Sequence, residues 1–137
     1  MHSEYGFGTD LEVSYDEAIP MVTDALKAEG FGVLTEIDIR QTLREKLGAE
    51  MAPYRILGAC NPQLAYQALE ANITVGLLLP CNVVVRVTPT GSRVDIADPQ
   101  AMFSAIGDTR LDAIAAEARE KLQRVIAALA AKLPAHS

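Results

Sequence analysis

The residues of this chain best suited to chemistry are two cysteines in similar surroundings. Cys60 lies in the run Tyr54-Arg55-Ile56-Leu57-Gly58-Ala59-Cys60-Asn61-Pro62, and after twenty intervening residues Cys81 lies in Leu77-Leu78-Leu79-Pro80-Cys81-Asn82-Val83-Val84-Val85. Each cysteine is followed by an asparagine. Asn61-Pro62 is a strong helix start, because the asparagine can cap the first turn and proline lacks only a donor that would be orphaned there. A helix N-terminus favours negative charge, so it would stabilise a Cys60 thiolate, with Cys81 as resolving partner. On this reading Cys60 reacts with an alkylating reagent before Cys81, starting below the ordinary thiol pKa of about 8.5. The competing reading is structural: free cysteine is among the most buried residue types, and both thiols suit an apolar sheet.

Other constellations are thinner. A zinc site needs more than two thiolates, yet the two histidines, His2 and His136, lie near the chain ends, and the Cys60–Cys81 spacing is no metal signature. No metal and no cofactor are expected, although two converging cysteines can hold a soft ion such as copper(I). Glu36 and Asp38 lie two apart on one strand face, the arrangement acid–base chemistry uses, but such a pair more often forms a solvated face, and Asp38 also suits a helix cap. There is no Ser-His-Asp order and no glycine-rich phosphate loop. Pro80 reads as a bulge or a strand break.

The Cys-Asn-Pro and Pro-Cys-Asn motifs, with Glu29-Gly30-Phe31-Gly32-Val33-Leu34 and the Asp98-Pro99 pair, resemble the family "domain of unknown function 302" over roughly Glu12 to Pro99. The resemblance implies a compact antiparallel sheet backed by helices, similar to TATA-binding-protein-like domains, and a homodimer. It implies no activity.

The elements that must position the motifs follow from periodicity. Phe7 to Tyr15 reads as a first strand, with Leu11 and Val13 alternating against polar neighbours. Ser14 and Glu17 form a capping box for a helix carrying Ala18, Val22, Ala25 and Leu26; Pro20 should kink it, and Gly30 should close it. Val33 to Ile37 is a second strand. Asp38 and Gln41 then cap a short helix with Ile39, Leu43 and Leu47 on one face, ended by Gly48. Tyr54 to Cys60 is a third strand, and the helix after Pro62 buries Leu64, Ala65, Ala68 and Leu69. From Ile73 the chain is apolar for most of fifteen residues, and the β-branched run through Val87 favours strand. Pro89 and Gly91 make a turn into a returning antiparallel strand with Val94 and Ile96, ended by Pro99. A long helix from about 108 to 133, capped by Asp108 or Thr109 with Asp112 available to complete a box, carries Leu111, Ile114, Ala115, Ala118, Leu122, Val125, Ile126, Leu129 and Leu133 at helical spacing. The fold class is α+β: about five antiparallel strands with a first and a long last helix. With no linker or repeat, residues 1–137 read as one domain.

Composition narrows the function. The net charge of -6 opposes nucleic acid and anionic membranes as partners. Met1 to Leu11 lacks the basic start and apolar run of a signal peptide, so a cytoplasmic location is expected, where both thiols stay reduced. The reading that results is a dimeric binding module with a small-molecule pocket formed by Cys60, Asn61, Pro62, Pro80, Cys81 and Asn82. The alternative is a thiol-based redox or soft-metal protein using Cys60 and Cys81. A third possibility makes the motif purely structural and the dimer surface the working part.

Overall fold

The β-branched and alternating segments pair into one five-stranded antiparallel sheet. In the computed structural model, which describes residues 5–131, the strands are β1 (Gly6–Leu11), β2 (Gly32–Asp38), β3 (Tyr54–Cys60), β4 (Cys81–Thr88) and β5 (Gly91–Ala97). Their spatial order is β1-β5-β4-β3-β2. The side chains of one face, among them Phe7, Leu57, Val83, Val85, Val94 and Ile96, are buried. Helices α1 (Tyr15–Ala28) and α5 (Asp112–Ala131) cover that face with Ala18, Val22, Leu26, Leu122, Val125 and Leu129. Removing this apolar surface from water is the main stabilising contribution, because each fully buried aliphatic side chain contributes about 1.5–3 kcal/mol. Among the described residues no helix of this core covers the opposite face.

Local chemistry sets the boundaries. Ser14 Oγ accepts from the Glu17 backbone N–H at 3.1 Å while the Ser14 N–H donates to Glu17 Oε1 at 3.3 Å, a complete capping box. This cap also ends β1 at Leu11, four residues before the expected limit at Tyr15, since Ser14 and Tyr15 are drawn into α1. The helix runs unbroken through Pro20. It closes on Gly30, whose φ of 85° lets the N–H groups of Gly30 and Phe31 donate back to Lys27 and Leu26. In β2 the register shifts between Val33 and Thr35, and Leu34 is turned out to solvent.

Four other expectations need correction. Helix α2 (Ile39–Leu47) forms, with Asp38 Oδ1 accepting from the Gln41 N–H at 2.9 Å, but it buries no residue: Leu47 is 75% exposed, and the Gln41 side chain turns to Glu45 instead of completing a box. The Ile73–Leu78 part of the long apolar run is a 3-10 helix rather than strand, because Asn72 Oδ1 accepts from the Thr74 N–H at 3.0 Å and starts a helical turn. Only Val75 of that turn is buried. Pro99 does not merely end β5. Asp98 caps and Pro99 opens a short helix, α4 (Pro99–Ser104), by the same chemistry that Asn61-Pro62 uses at α3 (Pro62–Ala71). A 3-10 turn at Thr109–Leu111 then precedes α5, so the last helix starts at Asp112, and Leu133 lies outside the described residues.

Candidate functional site

The six motif residues occupy the sheet ends nearest α3 and α4, but they do not meet in one cavity. Cys60 closes β3, Asn61 caps α3 by accepting from the Leu64 N–H at 3.2 Å, and Pro62 is the first helical residue. Asn61 Nδ2 also reaches the Glu29 carbonyl at 3.5 Å, tying α3 to the end of α1. The asparagine is therefore consumed by structure. Cys81 opens β4 beside Ala59 and packs against the main core. Cys60, Asn61 and Cys81 line a cavity of about 30 Å³ floored by Phe31, Leu64 and Phe103. Pro62 borders a different surface hollow beside Gly30 and Lys121. Pro80, Cys81 and Asn82 line a third, of about 180 Å³, under Leu77 and Met102.

A cavity of about 30 Å³ has the share of volume that one water takes in the liquid. Burial pushes the Cys60 thiol up, and it pushes Cys81 up to about 11, with the neighbouring Cys60 adding to the rise. This is opposite to the expected Cys60 thiolate. Desolvation by burial is the cause, and two groups of the helix start are out of play: Asn61 takes the Leu64 N–H, and Pro62 has none. Both thiols are free, and among the described residues no cluster of three or more His, Cys, Asp or Glu side chains stands ready for a metal. His2 and His136 lie outside the described residues.

The acidic pair on β2 is also accounted for. Arg55 Nη1 donates to Glu36 at 3.1 Å, Arg55 Nη2 lies 3.6 Å from Asp38, and the guanidinium sits 5.7 Å from the Tyr15 ring centre. Asp98 is similarly occupied. One oxygen accepts from the Gln100 N–H at 2.9 Å and the other from Arg119 Nε at 3.0 Å, which pins α4 to α5.

A larger concavity lies on the sheet face away from α1 and α5, away from the cysteine motifs apart from Asn82. The strand register sets Tyr54, Arg86, Arg93 and Asp10 in one row across β3, β4, β5 and β1. The next row is Ile56, Val84, Asp95 and Gly8. Asn82 follows beside Gly58, and Ala97 beside Gly6. Glycine keeps this floor low. A methyl group at Gly8 would collide with the Val94 carbonyl and the Asp95 carboxylate. The concavity holds about 680 Å³, and its walls include Tyr5 and Met102.

Its electrostatics are uneven. Arg93 donates through Nε to Asp95 at 3.1 Å and through Nη1 to Asp10 at 3.3 Å. Arg86 stands directly opposite Arg93, and among the described residues no carboxylate pairs with it. The signal for this face was present in the strand alternation: Asn82, Val84 and Arg86 interleave with Val83, Val85 and Val87, and Arg93 and Asp95 interleave with Val94 and Ile96.

Among the described residues no helix is long and apolar enough to cross a membrane. The family model described as "Domain of unknown function DUF302" matches residues 7–129, well past the Glu12–Pro99 stretch that carried the motifs, and so takes in most of α5. The crystal structure of an uncharacterized conserved DUF302 protein from Bacillus stearothermophilus is 31% identical, with a TM-score of 0.84 over 91% of this chain and 98% of that one. No curated protein matches the chain. A family model matched over residues 7–129 and a 31%-identical structure of the same fold agree: the chain belongs to the DUF302 family.

Proposed function

We propose that this protein is a small-molecule binding module whose ligand sits on the uncovered face of the sheet. The supporting observation is the concavity of about 680 Å³ between Tyr5, Tyr54, Val84, Arg86 and Met102, which falls within the 300–1,000 Å³ typical of ligand pockets. Of the six motif residues, Asn82 is the one that meets it; the others shape the strand ends and the start of α3. The test is a fragment screen read by amide NMR. Fragments that bind should shift amides of β4 and β5 around Val84, Arg86 and Asp95. Shifts gathered at Cys60 and Leu64, or no shifts at all, contradict the proposal.

The working unit we propose is a homodimer in the cytoplasm. Edge strand β2 supports the dimer, because Leu34 is 67% and Ile37 45% exposed on it, and an edge with exposed apolar groups calls for a cover. A monomeric mass in sedimentation at micromolar concentration contradicts it. Two free thiols suit a reducing compartment. One domain is supported by α5, which supplies Ala115 to a smaller cluster with Phe103 and Val75 as well as Leu122 to the main core.

A second reading, thiol redox or soft-metal binding, draws on the fact that Cys60 and Cys81 line the same small cavity. Alkylation of the folded protein tests it. Labelling of Cys60 at neutral pH supports it, and labelling of both thiols only on unfolding removes it.

A further inference from the structure

We infer that the uncovered face selects a small organic monocarboxylate with an apolar or aromatic body, and that Arg86 binds the carboxylate. The inference rests on the binding-module reading and adds the ligand's chemistry to it. Four charged side chains face the concavity from the described strands: Arg86 on β4, Arg93 and Asp95 on β5, and Asp10 on β1. Arg93 is taken by the two acids, at 3.3 Å to Asp10 and 3.1 Å to Asp95. That leaves one guanidinium without a carboxylate among the described residues, placed directly opposite a second cation.

The number of available charges decides the class of anion. A guanidinium presents two parallel N–H donors that match a carboxylate bidentately. A phosphate dianion needs more cation than one arginine supplies, and here it would also face the Asp10 and Asp95 carboxylates. The rest of the wall is largely apolar: Tyr54 neighbours Arg86 in register, Val84 lies one row along, and Met102 and Ala97 close the far side. A charged head on Arg86 with an apolar body over Val84 is the shape this wall accepts. Asn82 adds an amide at the far end.

The test uses benzoate and its uncharged counterpart benzamide as probes, titrated into the whole protein and followed by amide NMR. The variants are Arg86→Gln, Arg86→Lys and the pocket-filling Ala97→Trp. Benzoate should shift amides around Arg86 and Val84 and bind at least about tenfold more tightly than benzamide, the loss expected when a charge-assisted pair is removed. Arg86→Gln should bring benzoate down to benzamide's level, Arg86→Lys should recover part of the difference, and Ala97→Trp should weaken both. Equal binding of the two probes at this face, unchanged by Arg86→Gln, overturns the carboxylate assignment while leaving the pocket standing. If neither probe moves these amides in the folded protein, the binding-module reading falls as well. The unchanged amide spectrum of Arg86→Gln away from β4 serves as the check that it folds.

Discussion

The two faces of the sheet are built from the same strands, one residue out of step, and they differ in almost every physical respect. On the covered face Leu57, Val83, Val85 and Val94 are fully buried beneath α1 and α5. On the uncovered face the interleaved residues include Tyr54, Arg86, Arg93, Asp95 and Asn82, around a concavity of about 680 Å³. Period-two alternation separates a face packed under helices from a face that no core helix covers among the described residues. The cysteines, whose composition drew attention first, belong with the stabilising side: Cys81 packs on the main core, and Cys60 lines a cavity the size of a water.

Substitutions should break this contrast unequally. The largest effect belongs to the covered face, where Leu122→Ala removes a fully buried side chain beneath α5 and should cost about 3 kcal/mol through lost burial and a residual cavity, read from denaturant midpoints. Next is the alkaline limb of stability. Below the unfolded thiol's pKa near 9.0 both states hold the Cys81 proton and the stabilisation is fully present; between there and about 11 only the unfolded chain releases it. Stability should therefore fall by roughly 2–3 kcal/mol across that window, and Cys81→Ala should flatten that part of the slope relative to wild type. Asn61→Ala should cost about 1 kcal/mol, the contribution of a helix cap, in thermal unfolding. Smallest is Arg86→Gln on the uncovered face, which should leave stability within about 0.5 kcal/mol of wild type while abolishing carboxylate recognition. A large destabilisation by Arg86→Gln would remove the distinction between the faces.

Much of this was legible from residue types. Tyr54 to Cys60 and the capping chemistry of Ser14, Asp38 and Asn61 could be read directly, because caps and strand alternation are local signals. The failures arose where tertiary context decides. Ile39, Leu43 and Leu47 have helical spacing, but α2 lies at the end of edge strand β2 with no layer above it to bury them. Ile73 to Leu78 is apolar, yet Asn72 starts a helical turn there. Asp98-Pro99 carries the same start signal as Asn61-Pro62, although Pro99 also suits a strand stop. The concavity could not be read along the chain, since Tyr54, Arg86, Arg93 and Asp10 become one row only through the register of four strands.

The most direct test of the proposed ligand site is native mass spectrometry of the protein purified gently from cells, comparing wild type with Arg86→Gln and with the Cys60→Ala, Cys81→Ala double variant. The expected result is a small-molecule adduct that Arg86→Gln loses and the cysteine variant keeps. A protein that always flies without an adduct, or an adduct that survives Arg86→Gln and disappears with the cysteines, would place function at the sulfurs or elsewhere and contradict the assignment of the uncovered face.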